Sequence, residues 1–414
     1  MNFDEPSLRP DRFRPWIATS IALLTFVAVL LCTTGWRPLP ERLRTGADRI
    51  FEEPFISWIN GKRVGLVTNQ TGVDRDLNPI GDLLSGHSEC TITTRFAPEH
   101  GMDGTVQAGE QVASSSRVFS LYGKTLRPTP AMLTDVDVLI FDIQDVGARF
   151  YTYVSTMLEC MKAAASNQIT LIILDRPNPI DATRVEGPVL EESSASFVGV
   201  ARVPIRHGMT MGEMALLLKS DFQLDLDLRI VPLSGWERFQ WYSETELQWI
   251  APSPNMPTLN TAAVYPGFCL VEGTNLSEGR GTTQPFELVG SPWLDSGDLS
   301  RVLNHLGIPG VYFRPQSFRP TFSKYEGQFC RGIQIHVLDR SKFDPIQAAL
   351  HLLREIRLRH PDQLQFNDSF FDRLAGNSWV REMLEKGDPV KSIAERWQPD
   401  LREFKRRREE FLLY

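Results

Sequence analysis

Read for its hydrophobic and polar positions, the chain falls into three unlike stretches. From Trp16 to Cys32 the residues are almost wholly apolar, and no charged residue lies between Arg14 and Arg37. From Arg63 onward, short apolar runs bounded by turn residues alternate with longer amphipathic ones. Arg63–Thr68 (RVGLVT), Thr91–Ala97, Val136–Ile143 (VDVLIFDI), Ile169–Leu174 (ITLIIL) and Leu228–Leu233 predict strands. Ile80–Leu84 and Tyr151–Ala165 predict helices, and Thr210 followed by Glu213 marks a capping box in front of another. Strands alternating with helices predict an α/β fold with a mostly parallel sheet, covering residues 48–230. The pattern changes near Gly235. Pro252–Thr258 (PSPNMPT) excludes regular structure because proline lacks a donor. Gly332–Leu338 alternates as a strand, and the chain from about Asp344 reads as helical with a solvated face over Arg402–Glu410, so residues 231–414 predict a smaller α+β domain.

The first stretch predicts a membrane segment. Extended into the residues that follow, it reaches the roughly 20 helical residues that span a hydrocarbon core. Arg9, Arg12 and Arg14 precede it, so the positive-inside rule keeps the N-terminus in the cytoplasm and sends the rest outward. Residues 1–37 are therefore expected to form a signal anchor and 38–47 a linker. The expected location is the outer face of an inner membrane, in the periplasm, or secreted if the segment is cleaved. Cys32 lies in this segment behind Leu31, a poor residue for lipoprotein processing.

Composition narrows the function. The 414 residues carry 44 Lys and Arg against 51 Asp and Glu, a net charge of −7, which argues against a general nucleic-acid binder. The other four cysteines, Cys90, Cys160, Cys269 and Cys330, are widely spaced and fit buried small residues better than a metal site. No phosphate-binding loop, zinc-protease or nucleophile-elbow motif occurs, so no cofactor and no metal is expected.

Parallel sheets bind ligands beyond the carboxyl ends of their strands. Polar motifs sit at each of those ends. Asn69 follows the first strand, and Pro98-Glu99-His100-Gly101 the second. Asp142, Gln144, Asp145, Arg149, Tyr151 and Tyr153 follow the third, and Arg176 and Asn178 the fourth. Glu99 on a tight turn is a candidate catalytic carboxylate, with His100 beside it. In the third motif, Arg149 offers a planar fork for a carboxylate and the tyrosines a surface for a sugar. Further along, Glu272–Thr283 (EGTNLSEGRGTT) places Glu272, Glu278 and Arg280 in a glycine-rich loop expected to be flexible, with Asn255 and Asn275 as candidate hydroxyl or acetamido binders. Paired carboxylates suit glycosidic bond hydrolysis, in which one protonates the leaving oxygen and the other activates water or attacks carbon.

The ordered motifs Phe96–Gly101 (FAPEHG), Phe141–Tyr153 (FDIQDVGARFYTY), Leu174–Pro179 (LDRPNP), Arg206–Thr210 (RHGMT), PSPNMPT and EGTNLSEGRGTT resemble those of the NamZ-like exo-β-N-acetylmuramidase family, from about Gly46 to Tyr414. That resemblance implies a Rossmann-like domain followed by a smaller one, with a cleft between them. It implies release of N-acetylmuramic acid from the non-reducing end of peptidoglycan fragments. It also implies Glu99 as a catalytic carboxylate, with Glu278 or Glu186 as its partner, and brings His207 of RHGMT into the substrate-binding set. A muropeptide-binding protein without activity and a metal-dependent deacetylase or amidase are the alternatives left open.

Overall fold

The computed structural model describes, besides Met1, residues 42–114 and 118–414. The apolar segment Trp16–Cys32 and its anchor role lie outside the described residues. Among those described, no helix is long and apolar enough to cross a membrane. Arg42–Tyr414 form one compact unit.

The first half alternates as expected. It runs α1 (Gly46–Arg49), β1 (Lys62–Thr68), α2 (Ile80–Gly86), β2 (Cys90–Ala97), β3 (Val118–Ser120), β4 (Val138–Asp142), α3 (Tyr153–Ser166), β5 (Thr170–Leu174), β6 (Glu186–Val189), β7 (Pro204–Arg206), α4 (Met211–Asp221) and β8 (Leu228–Val231). Six strands form one sheet in the order β3-β2-β1-β4-β5-β8, with every pair parallel. This is the strand order of a Rossmann-like sheet, reversing direction between β1 and β4.

The side-chain period of two explains why β4 and β5 read as continuous apolar runs. Leu139, Phe141, Leu171 and Ile173 enter the main core on one face. Val138, Ile140, Ile172 and Leu174 enter a second core on the other, under Ile50, Ile80 and Leu84. A strand covered on both faces has no position at which a polar side chain is cheap. Helix α4 starts at the expected capping box, in which the Glu213 N–H donates to Thr210 Oγ1 at 3.2 Å and the Thr210 N–H to Glu213 Oε2 at 3.0 Å.

The second half runs α5 (Leu259–Phe268), β9 (Leu288–Ser291), α6 (Ser296–His305), β10 (Val311–Phe318), β11 (Cys330–Val337), α7 (Pro345–Arg359), α8 (Asp368–Ala375), α9 (Trp379–Lys386) and α10 (Val390–Arg408). Its three strands form an antiparallel sheet in the order β10-β11-β9. The main core passes without a break from Phe141 and Tyr153 to Phe268, Ile333 and Leu353. An edge-to-face chain of rings, Tyr151–Tyr265 at 5.8 Å and Tyr265–Phe286 at 4.8 Å between centroids, couples the halves beneath the cleft. The four described cysteines are free and buried.

Candidate active site

A cavity of about 700 Å³ opens where the loops after β2, β3 and β4 face the loops of the second half. Its walls carry Glu99, His100, Tyr122, Tyr151 and Thr152 on one side and Glu272, Glu278, Arg280, Phe286 and Lys324 on the other. Ser253 and Asn255 of the proline-rich connection join the wall.

Glu99 is held by two donors. The Gly109 N–H donates to Oε1 at 3.0 Å and the Thr152 hydroxyl to Oε2 at 2.6 Å. Thr152 stands at the N-cap of α3, so the helix start aligns the carboxylate. The turn that projects Glu99 is strained: His100 has φ 74° and Gly101 φ 82°. His100 is fixed in it through a 2.7 Å contact of Nδ1 with the Val106 carbonyl, and burial pushes its imidazole below the usual range. Burial and then the Glu99 charge push the Tyr122 phenol far up, so it stays protonated beside that carboxylate.

The opposite wall is an ionic quartet. Arg280 Nε lies 2.6 Å from Glu272 Oε1 and 3.5 Å from Glu278 Oε1, while Lys324 Nζ lies 3.1 Å from Glu278 Oε2. Lys324 also donates to the carbonyls of Glu272 and Leu276 at 2.9 and 3.0 Å. Glu278 is 2% exposed, and burial pushes its carboxyl up against the opposing charges of Lys324 and Arg280. The same burial works against the Arg280 charge, but Glu272 and Glu278 outweigh it and keep the guanidinium ionised.

The glycine-rich loop is not the flexible segment expected from its composition. Gly279 and Gly281 have φ 82° and 79°, and a Cβ on Gly281 would stand 2.5 Å from the Phe322 carbonyl. The glycines let the backbone pack closely. The Thr321 N–H and hydroxyl both donate to the Gly281 carbonyl at 2.9 Å, docking the loop that carries Lys324.

Of the expected site residues, Glu99, His100, Tyr151, Asn255, Glu272, Glu278 and Arg280 line the cavity. The others do not. Asp142 and Arg176 form a sealed pair, Nε to Oδ1 at 2.5 Å, with side chains 0% and 4% exposed. Arg149 spends its fork on the carbonyls of Pro188, Val203 and Leu374 at 2.8–3.0 Å, tying the loop after β4 to β6, β7 and α8. Asn69 donates to the Tyr153 hydroxyl at 2.9 Å, and that hydroxyl donates to the Pro252 carbonyl at 2.5 Å. Gln144 donates to the Asp145 and Pro177 carbonyls, Asp145 accepts from the Gly147 N–H, and Asn178 donates to the Met209 carbonyl. His207 is buried with Nε2 3.8 Å from Asp145. Asn275 bridges to the backbone of Gln363 and Gln365. Glu186 pairs with Arg184 and Arg206 on the β6–β7 ribbon, outside the cavity lining that holds Glu99. For Gln144, Asp145, Arg149, Asn178 and Asn275 the physical reason is shared: buried turns must satisfy their own backbone groups.

Thr152, Tyr122 and Lys324 were not singled out by the sequence. Thr152 lies inside the quoted FYTY run, where its hydroxyl gave a usable signal. Tyr122 and Lys324 lie on loops without a motif, and only the fold brings them to Glu99 and Glu278. Among the described residues, no three His, Cys, Asp or Glu side chains converge as metal ligands would.

The chain matches two family models over almost its whole described length. The N-terminal domain of exo-β-N-acetylmuramidase NamZ matches residues 64–260, and the C-terminal domain residues 263–414. The chain is similar to the peptidoglycan β-N-acetylmuramidase NamZ of Bacillus subtilis strain 168, 45% identical over 380 residues, covering 90% of this chain and 92% of that protein. Two solved DUF1343 family proteins from Bacteroides fragilis NCTC 9343 share the fold. One has a TM-score of 0.84 at 36% identity, covering 91% of this chain and 100% of that one. The other has 0.72 at 30%, covering 90% and 99%. The two models meet between the halves that wall the cleft, and on this evidence the chain belongs to the NamZ exo-β-N-acetylmuramidase family.

Proposed function

We propose that the protein is an exo-acting glycosidase that releases N-acetylmuramic acid from the non-reducing end of peptidoglycan fragments. One observation carries the reading: two buried glutamates from opposite halves, Glu99 and Glu278, line one cavity in unlike settings. Glu99 is oriented by two donors, as suits a base or nucleophile. Glu278 is pushed toward its protonated form by burial, as suits the acid that protonates the leaving oxygen. Tyr122 and Phe197, half-buried in the cavity lining, supply apolar surface on which a sugar ring can rest. The family membership supports the same substrate class.

The test is a time course on peptidoglycan glycan strands that end in muramic acid. Monomeric N-acetylmuramic acid should appear first while the mean strand length falls slowly. Early internal fragments would contradict exo action.

The membrane segment is the second part of the proposal. The charge-free run Trp16–Cys32 behind three arginines supports an anchor that holds residues 42–414 outside the cytoplasm. Full-length protein should sediment with membranes and be open to protease added from the periplasmic side; soluble protein shielded from that protease would refute it.

A further inference from the structure

The cavity contains one cationic fork that the protein does not use up. Arg280 Nε is engaged by Glu272 at 2.6 Å, and its guanidinium carbon stands 5.0 Å from the centroid of the Phe286 ring. Those two contacts fix the plane of the group. Its terminal nitrogens Nη1 and Nη2 have no hydrogen-bond partner among the described residues, yet they are not sealed, because the side chain is 16% exposed and lines the cavity. Lys324, the other cation here, is already saturated by three carbonyls and Glu278. Arg149, the fork suggested by the sequence, is buried on carbonyls. Arg280 is thus the guanidinium left with two parallel donors toward a ligand, on the wall opposite Glu99.

N-acetylmuramic acid differs from N-acetylglucosamine by one group, a lactyl ether that ends in a carboxylate. A planar pair of N–H donors is the natural complement of a carboxylate. We infer that Arg280 is the specificity-determining residue of the cleft: Nη1 and Nη2 receive the lactyl carboxylate and so select muramyl over glucosaminyl ends. The inference rests on the substrate class proposed above. Glu272 is a positioning residue in this arrangement, since its contact with Nε leaves the fork facing the cavity.

The test is calorimetric titration of full-length protein, wild type and Arg280→Gln, with N-acetylmuramic acid and with its methyl ester, which lacks the charge but keeps the lactyl skeleton. The wild type should bind the acid at least about 10-fold more tightly than the ester, the size expected of a charge-assisted pair. In Arg280→Gln the ratio should fall to about one, and Arg280→Lys, a point charge without the fork, should lie between. Lys at this position also serves if the Gln variant fails to fold. Equal affinity of the wild type for acid and ester would overturn the inference, as would a ratio that survives both substitutions. Failure of the wild type to bind either ligand would instead count against the proposed substrate class, so the two ideas fail separately.

Discussion

Two of the buried arginine–carboxylate groups among the described residues stand in unlike settings. Asp142 and Arg176 stand at the ends of β4 and β5, close on each other, and are sealed from solvent; Arg176 gives its remaining contact to the Val73 carbonyl. Glu278 is as buried, but Glu272, Arg280 and Lys324 are partly exposed; the group faces a cavity and Arg280 keeps donors in reserve. Both join arginine to carboxylate. What separates them is access: one is sealed, and the other opens onto the cavity. A sealed pair fixes a turn; one that opens onto a cavity can meet a ligand.

That contrast can be broken at several points. The largest effect is expected on the cleft side. Glu99→Gln should lower kcat/KM by about a thousandfold while the urea midpoint stays near wild type. Near wild-type turnover would remove Glu99 from the chemistry. On the scaffold side, Asp142→Ala should cost about 3–5 kcal/mol of stability, because Arg176 is left charged and unpaired in the interior. Urea unfolding measures this, and a loss below about 1 kcal/mol would contradict the sealed pair.

The pH responses should divide in the same way. In the proposed mechanism Glu278 acts as an acid in its protonated form, so kcat/KM should fall as pH rises through its elevated pKa. In Glu278→Gln that basic limb should disappear along with most of the activity. Asp175, sealed behind β5, has its carboxyl pushed up to about 6 by burial, from 3.8 in an unstructured chain. Its folded form therefore holds the proton more tightly. The resulting stabilisation is complete below the unfolded value and is lost as pH rises through about 6. Asp175→Asn should flatten stability against pH across that window while leaving the pH profile of kcat/KM in place. The smallest change is Tyr122→Phe, which removes one hydroxyl beside Glu99. A loss of about 3–10-fold in kcat is expected, without a shift in unfolding midpoint.

The same contrast explains what the sequence revealed. Strands β1, β4, β5 and β8 were legible because they are short apolar runs between turns, and α4 because its cap is local. Strand β3, three residues at the sheet edge, and the ribbon Glu186–Val189 with Pro204–Arg206 have no periodicity to read. At the site, Glu99 and the Glu272–Arg280 loop stood out as clusters of ionisable groups, and the cavity is lined by Glu99, Glu272, Glu278 and Arg280. The same criterion also selected Asn69, Asp142, Arg149 and Arg176, which lie outside the cavity lining. Satisfaction of a polar atom depends on partners far away in the chain, 225 residues for Arg149 and Leu374, and local spacing does not encode it. Lys324 was missed for that reason, since its partner Glu278 lies 46 residues earlier.

The central claim is that Glu99 and Glu278 act together on a muramyl bond. The most direct measurement is mass-spectrometric detection of products from N-acetylmuramyl-β-1,4-N-acetylglucosamine incubated with folded wild type, Glu99→Gln and Glu278→Gln. The account predicts equimolar N-acetylmuramic acid and N-acetylglucosamine from the wild type and a loss of at least about a hundredfold in both variants. An intact disaccharide with the wild type, or full activity in either variant, would contradict it.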